Sequence, residues 1–240
     1  MSIGSLLLGL LISCNIRVTE DPFSLEVEAA VPACRKSQKG LRLANKSSVQ
    51  ISFMVGDSEV GKASGNYFKH KGNTFILTAA HVADAAEDAT LIVKERLGID
   101  FSTVRVVYSS EQNDLAILVL DRELQTIDPI RWKRKDRWEV DVGDTLYYTG
   151  HPMDMDHLTF QGFVSRVYLD TIVMQGFAYM GSSGSAVFDS RGKVVGVISA
   201  IKFDVPGGAF PQLIPSMVLI GPISVLHDGE LHDLLENANK

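Results

Sequence analysis

Short runs of β-forming residues, separated by turns rich in Gly, Asp, Asn and Ser, recur along most of the chain. Nine of them can be delimited, at residues 49–55, 74–77, 90–93, 103–108, 116–120, 145–148, 158–167, 171–174 and 194–201. Runs of this length and spacing are typical of antiparallel sheets that close into barrels or pack into sandwiches. The pattern therefore predicts an all-β body and leaves the choice between a barrel and a sandwich open.

A helical pattern is confined to the carboxyl-terminal end. After Pro222, apolar residues recur among acidic ones, which predicts a closing helix over about residues 222–238. The chain has 240 residues, of which 45% are hydrophobic and 22% charged. A chain of this size and composition can bury a substantial core, arranged as one large domain or two small ones.

Three apolar runs each adjoin a residue that could take part in nucleophilic catalysis. These are His81 after residues 75–77, Asp114 before residues 115–120, and Ser183 before residues 186–188. A serine hydroxyl becomes a nucleophile when an imidazole takes its proton, and the imidazole needs an acceptor on its other nitrogen to fix its tautomer. We expect Ser183, His81 and Asp114 to fill these three roles in turn.

Glycines surround the candidate nucleophile in the segment Gly181-Ser182-Ser183-Gly184-Ser185-Ala186. A tight glycine turn exposes backbone N–H groups, and such groups can hold the oxyanion that forms during acyl transfer. The N–H groups of Gly181 and Ser183 are the candidates for this oxyanion hole.

Each of the three segments has a plainer explanation when it is taken alone. A lone histidine is more often packed or on the surface, an aspartate before a strand is usually solvated, and a Gly-Ser segment is usually a flexible loop. Their joint placement at strand ends favours catalysis. A serine esterase of the α/β-hydrolase type is excluded because its serine precedes its histidine.

The order His, Asp, Ser resembles that of the chymotrypsin/trypsin-like serine proteases. The resemblance covers about residues 48–226, and the segment Gly150-His151-Pro152 is most similar to the bacterial Deg-type (high-temperature-requirement) branch. We expect a compact member of that branch, without a PDZ domain. The resemblance implies two six-stranded antiparallel β-barrels with the triad in the cleft between them. Barrel one would span about residues 48–125 and barrel two about residues 138–226.

The resemblance also implies roles for residues around the triad. Ser199 would support the triad carboxylate, and Phe177, six residues before the nucleophile, would lie at the base of the primary substrate pocket. Ala200 and Ile201 would line that pocket, with Ile201 narrowing it. An apolar residue at the bottom of the pocket offers no partner to the charged side chain of a substrate Lys or Arg. We therefore expect cleavage after small or medium apolar residues instead.

One departure from the family pattern concerns control. Digestive members have an aspartate just before the nucleophile, which pairs with a newly cut amino terminus on activation, whereas this chain has Ser182. We therefore expect the turn that carries the oxyanion hole, residues 181–184 and here called the oxyanion turn, to be preformed or to be held in place by the packing of neighbouring loops.

The amino terminus carries an apolar stretch at residues 3–12, about the size of a signal-peptide core. It runs into Leu11-Ile12-Ser13-Cys14, which resembles a bacterial lipobox with Cys14 as the lipidated residue. The expectation is a signal segment at residues 1–14, a tether at 15–47, and an exported protein that is a membrane-anchored lipoprotein, periplasmic or secreted. Because Met1-Ser2 supplies no Lys or Arg, a retained hydrophobic terminus and a cytoplasmic or phage-encoded protein stay open.

Cofactors and metals are not expected. The two cysteines, Cys14 and Cys34, lie outside the protease-like region, so no disulfide framework holds the barrels, and no His or acidic cluster has metal-ligand spacing. Four histidines are interpreted as turn or surface residues, namely His151, His157, His227 and His232.

A basic run with two tryptophans, residues 131–138, lies in the predicted inter-barrel linker at about 121–138. In a chain of net charge −6, we interpret it as a solvated connector whose aromatic rings pack on the barrels, and we predict no nucleic-acid binding. The sequence thus predicts a serine endopeptidase acting on protein or peptide substrates through an acyl-enzyme. The alternative is a catalytically inactive scaffold of the same fold, used for protein binding.

Overall fold

The computed structural model describes residues 38–152, 155–204 and 212–238. The signal segment, the tether up to residue 37, Cys14 and Cys34 lie outside the described residues. Within the described part, no helix is long and apolar enough to cross a bilayer.

Barrel one is built from six antiparallel strands. They are β1 (Ser48–Val55), β2 (Ser58–His70), β3 (Asn73–Thr78), β4 (Thr90–Lys94), β5 (Phe101–Ser110) and β6 (Leu115–Leu120). Neighbours follow the order β1-β4-β5-β6-β3-β2, and the pairing of β1 with β2 closes the sheet. Alternate side chains fill its interior, among them Ile51, Tyr67, Ile76 and Leu118.

Barrel two has the same design. Its strands are β8 (Thr145–Gly150), β9 (Leu158–Val167), β10 (Ile172–Gln175), β11 (Ala186–Asp189), β12 (Val194–Asp204) and β13 (Gln212–Pro222). They form a closed barrel in the order β10-β13-β12-β11-β8-β9, and every pairing is antiparallel. The prediction of two six-stranded antiparallel barrels is confirmed.

The closing helix begins later than predicted. Helix α3 spans Asp228–Ala238, whereas the sequence predicted a start at Pro222. Pro222 is extended (φ −72°, ψ 138°) and pairs with Gly196 at the end of β13, and a single 3₁₀ turn, Ile223–Val225, separates it from the helix. Strand pairing therefore holds Pro222, and the 3₁₀ turn occupies the next residues that the apolar pattern assigned to the helix.

The last part of the predicted tether is folded, so the tether prediction is wrong for this stretch. Helix α1, Lys39–Ser47, buries Gly40, Ala44 and Ser47 along one face. Gly40 lies so close to barrel two that an added Cβ would stand 2.0 Å from the backbone oxygen of Asp189. Because Gly40 has no side chain, α1 can approach the backbone of barrel two closely at this point, which explains how so polar a helix packs here.

Strand β2 was missed because its sequence looks like a loop. Glycines and polar residues interrupt it, but the burial of its second half is continuous from Ala63 to Phe68. Two of its buried polar residues, Ser64 and Asn66, face barrel two rather than solvent. Such residues disrupt the hydrophobic alternation by which a strand is identified.

A shared apolar core joins the barrels, the linker and α3. Phe68 and Phe75 of barrel one stack on each other and meet Trp132 of the linker edge-on, at ring distances of 5.5, 5.1 and 5.4 Å. Leu231 and Leu235 of α3 complete the cluster from the other side. Trp132 packs as expected for the connector, whereas Trp138 does not, since it is 70% exposed.

The linker is also fixed by charge. Strand β7 (Ile130–Arg131) pairs in parallel with β2, and Lys135 is only 2% exposed. Its Nζ lies 2.8 Å from the Asp144 carboxylate and 3.9 Å from that of Asp189, both in barrel two. A buried ammonium needs such partners, so this part of the basic run is structural.

A line of buried hydrogen bonds, here called the polar seam, connects the barrels directly. Ser48 Oγ donates to Thr149 O at 3.0 Å, and Asn66 Oδ1 accepts from the Ala186 N–H at 2.7 Å. Ser64 Oγ accepts from the His151 N–H at 2.8 Å. Because unpaired buried polar groups are costly, these bonds define how the barrels sit on each other.

Candidate active site

His81 and Asp114 form a close pair at one end of barrel one. His81 lies in the short helix α2 (Ala80–Asp84) directly after β3, and Asp114 directly precedes β6, which pairs with β3. His81 Nδ1 lies 2.9 Å from both carboxylate oxygens of Asp114, and the His81 backbone N–H donates to Oδ1 at 3.1 Å. The imidazole is therefore held in one orientation.

A third group completes the Asp114 environment from barrel two. The Ser199 hydroxyl, on β12, donates to Asp114 Oδ2. The backbone of Asp114 is in the left-handed region (φ 47°, ψ 53°), which Asp and Asn tolerate better than other residues. Gly221 of β13 makes room for this loop, because a Cβ there would lie 2.2 Å from Asn113 O.

Hydrogen bonding sets the pKa values of the pair in opposite directions. For His81, the hydrogen bond to Asp114 raises the pKa above its ordinary value, against the effect of burial. For Asp114, burial alone would raise the pKa, but hydrogen bonds from His81 and Ser199 outweigh it and lower the pKa. At neutral pH the carboxylate is charged and ready to stabilise an imidazolium.

Ser183 lies in a tight turn of barrel two, just before β11. The Ser182 N–H donates to Tyr179 O at 2.9 Å and the Gly184 N–H to Ile198 O at 2.8 Å. Gly184 has φ +84°, and a Cβ there would lie 2.1 Å from Thr78 Oγ1 and 2.2 Å from Ser64 O. Only glycine fits both this conformation and this close approach to barrel one.

The contacts of the turn bring it to the His81–Asp114 pair. Gly184 touches Thr78, three residues before His81, and bonds Ile198, the neighbour of Ser199. These contacts bring the backbone of the serine turn next to the segments that carry His81 and Ser199; among the residues that the structure describes, no hydrogen bond joins the Ser183 hydroxyl to the His81 ring. Within the described residues, the backbone N–H groups of Gly181 and Ser183 donate no hydrogen bond. They are available to an external acceptor, as an oxyanion hole requires.

The predicted pocket residues are only partly described. Phe177 is 55% exposed, and its backbone carbonyl accepts a hydrogen bond from the buried Tyr148 hydroxyl. Its side chain lines a surface groove with Phe163 and Gln175, so it does not form an enclosed floor. Ala200 and Ile201 lie on β12, and their side chains fall outside the described residues.

Sequence reasoning missed groups that hold the turn, among them Ser64 and Tyr148. It also misplaced His151, which is 1% exposed rather than on the surface. His151 Nε2 lies 3.2 Å from Ser48 Oγ, and burial, with the positive charges of His157 and Lys62 adding to it, lowers its pKa to about 3. Among the described residues, no group of three or more His, Cys, Asp or Glu could hold a metal ion.

Two closed barrels with a His–Asp pair and a serine turn in the cleft between them are the architecture of the double-barrel serine proteases. A family model described as "Trypsin-like peptidase domain" matches residues 63–197. The chain therefore belongs to the trypsin-like peptidase family.

Among curated proteins, the chain is similar to Do-like and DegP-like proteases. The chain is 25% identical to "Protease Do-like 1, chloroplastic" of Arabidopsis thaliana over 171 residues, covering 66% of this chain and 38% of the relative. It is 27% identical to a "Probable periplasmic serine endoprotease DegP-like" of Pseudomonas putida over 146 residues, covering 57% and 29%. The chain thus spans only about a third of the length of these curated relatives.

A solved structure supports the fold. The serine endoprotease from Yersinia pestis superposes with a TM-score of 0.63 at 21% identity, covering 83% of this chain and 66% of the other. The resemblance to the Deg-type branch that the sequence motifs indicated is confirmed.

Proposed function

We propose that this chain is a serine endopeptidase that uses Ser183, His81 and Asp114 as its triad. The observation that carries the proposal is the oriented imidazole, whose Nδ1 is 2.9 Å from a carboxylate that Ser199 also supports. With Nδ1–H bonded to Asp114, the other ring nitrogen, Nε2, is the basic one. It is the atom that can take a proton from a serine hydroxyl.

The reaction follows from this arrangement. Ser183 Oγ attacks the carbonyl carbon of the substrate peptide and its proton passes to His81 Nε2, while the N–H groups of Gly181 and Ser183 bind the carbonyl oxygen as it becomes an oxyanion. His81 then gives the proton to the leaving amine, the C–N bond breaks and an acyl-enzyme remains. Water, deprotonated by the same imidazole, hydrolyses that ester and frees Ser183.

The substrate preference belongs to the same proposal. The position six residues before the nucleophile holds Phe177 rather than an acidic residue, and Ala200 and Ile201 follow Ser199 on β12. A Lys or Arg side chain of the substrate would lack a charged partner there, so small or medium apolar residues before the cut are favoured. Profiling with a peptide library is expected to show Ala, Val or Leu at that position. A dominant Lys or Arg preference would refute it.

Export of the protein is part of the proposal as well. It is supported by the signal-like segment and by relatives whose names describe periplasmic enzymes. More specifically, we propose that the exported protein is anchored by a lipid on Cys14. Wild-type protein should then incorporate radiolabelled palmitate, and Cys14→Ala should not.

A fluorophosphonate probe tests the activity, since it reacts covalently with an activated serine. Wild-type protein should be labelled, whereas Ser183→Ala and His81→Ala should not. Labelling that persists in Ser183→Ala contradicts the assignment of the nucleophile. Absence of labelling in folded wild-type protein favours the alternative of an inactive binding scaffold.

The pH dependence of kcat/KM reports on His81. Because catalysis needs the neutral imidazole, activity should fall as the pH drops through the pKa of His81, with a midpoint above the ordinary value of 6.5. The free energy of unfolding depends on pH in the opposite direction to the activity, as far as the His81–Asp114 pair contributes to it. A raised pKa means that the pair stabilises the protonated form, so this contribution is present at low pH and is lost as the pH rises through that pKa. The predicted pH dependence of kcat/KM is checked by measuring activity between about pH 5 and 9. A midpoint below 6.5 contradicts it.

A further inference from the structure

Ser64, in the middle of β2, contacts the oxyanion turn from the opposite barrel. Its hydroxyl donates to Gly181 O at 2.7 Å, and its backbone N–H donates to Ser183 O at 2.9 Å. It is fully buried. One residue of barrel one therefore holds two carbonyl groups of the turn that carries the candidate nucleophile.

These bonds fix the direction of two peptide units in the turn, Gly181–Ser182 and Ser183–Gly184. The units with carbonyls Gly181 and Ser183 point their oxygens at Ser64, and their N–H groups, on Ser182 and Gly184, donate to Tyr179 O and Ile198 O. The N–H groups of Gly181 and Ser183 belong to the alternate peptide units and stay unbonded within the described turn. A flip of the Gly181–Ser182 peptide would break a bond at each of its ends.

We propose that Ser64 is a positioning residue that keeps the oxyanion turn in its active conformation, an inference that rests on the proposed peptidase function. It takes the part that the aspartate before the nucleophile has in digestive members of the family, a position where this chain has Ser182. The restraint is supplied by barrel one and is in place without any cut of the chain.

The direction of the Ser64 hydroxyl is itself determined. The His151 N–H donates to Ser64 Oγ at 2.8 Å, which leaves the hydroxyl proton to point at Gly181 O. Thr78 Oγ1 donates to Ser64 O at 2.8 Å and holds the backbone. A hydroxyl that both accepts and donates in a buried site has no free alternative.

The test compares Ser64→Ala with wild-type protein on one peptide substrate. The variant removes the hydrogen bond to Gly181 O, whereas the N–H groups of Gly181 and Ser183 are still present but less well positioned. The value of kcat should therefore fall by about 10- to 100-fold, while KM changes by less than about twofold. Ser64→Cys keeps a weaker donor, and its kcat should lie between the two. The pH midpoint of the His81–Asp114 pair should stay unchanged, since that pair keeps all its contacts.

Ser52→Ala is the matched control. Ser52 is a fully buried serine of the same barrel and accepts a hydrogen bond from Gln50 Nε2 at 2.9 Å. Its loss should lower the thermal unfolding midpoint as Ser64→Ala does, but leave kcat within about twofold. If the two variants have the same kcat, Ser64 has a merely structural role and the proposal is overturned.

Hydrogen exchange gives a readout that does not depend on activity. In Ser64→Ala, the amides of Ser182 and Gly184 should exchange at least about tenfold faster than in wild-type protein, and in Ser52→Ala they should not. Unchanged exchange overturns the positioning role. If the wild-type protein takes up no fluorophosphonate, the proposed function fails, and the exchange result still decides whether Ser64 holds the turn.

Discussion

Replacement of Ser183 by alanine is expected to lower kcat by about 10⁶-fold while the protein keeps its fold. The change removes the nucleophilic oxygen, whereas the turn around it depends on backbone groups, such as the bond from the Ser64 N–H to Ser183 O at 2.9 Å. Hydrolysis of a peptide substrate, measured with thermal unfolding of the same sample, gives both numbers. The small rate that remains would come from binding and from the oxyanion donors alone.

The neighbouring serines sharpen this experiment. Ser182 and Ser185 are both fully buried, so neither can replace the lost nucleophile without a rearrangement of the turn. Ser165→Ala, on the exposed side of β9, is the matched control and should keep wild-type kcat. A Ser183→Ala variant that retains more than a tenth of the activity would show that the nucleophile lies elsewhere.

Replacement of Asp114 by asparagine is expected to lower kcat by about 10⁴-fold. The amide presents an N–H as well as an oxygen to His81, so the imidazole can adopt the tautomer in which Nδ1, not Nε2, is basic. The charge that stabilises the imidazolium is lost at the same time. Asparagine accepts the left-handed backbone conformation (φ 47°) about as well as aspartate does, so the loop should keep its shape.

Asp121→Asn provides the comparison for Asp114→Asn. Asp121 immediately follows β6, the strand that Asp114 precedes, and is part of an exposed ion pair with Arg105 at 3.5 Å. Surface pairs contribute little, so its loss should leave both kcat and stability nearly unchanged. If the two variants have equal activity on the same substrate, Asp114 has no role in catalysis and this prediction is wrong.

The architecture was predictable where the chain follows the usual rules of strand formation. Most strands of both barrels match apolar or β-branched runs, but the choice of barrels over a sandwich came from the resemblance, not from the runs. Strand β2 and helix α1 could not be found in this way. Both depend on tertiary contacts of small or polar residues, such as Gly40 on the backbone of Asp189 and Asn66 on Ala186, and a single sequence carries no signal for those.

The site shows the same division. The predicted residues His81, Asp114 and Ser199 are found in contact, and their catalytic roles stay predictions. Ser64 was missed because its bond to Gly181 joins residues 117 positions apart and no motif marks either end. The pocket is the least predictable part, since the exposure of Phe177 depends on how the segment before the turn is held by Tyr148.

The polar seam bears on how this cleft meets a substrate. Apolar contacts have no preferred direction, whereas the hydrogen bonds at Ser48 and Asn66 weaken as their distances and angles depart from the observed ones. The angle between the barrels is therefore set during folding and not by the ligand. If the proposed function holds, little of a peptide's binding free energy would be spent on moving one barrel against the other, and more would remain to position the scissile bond at Ser183.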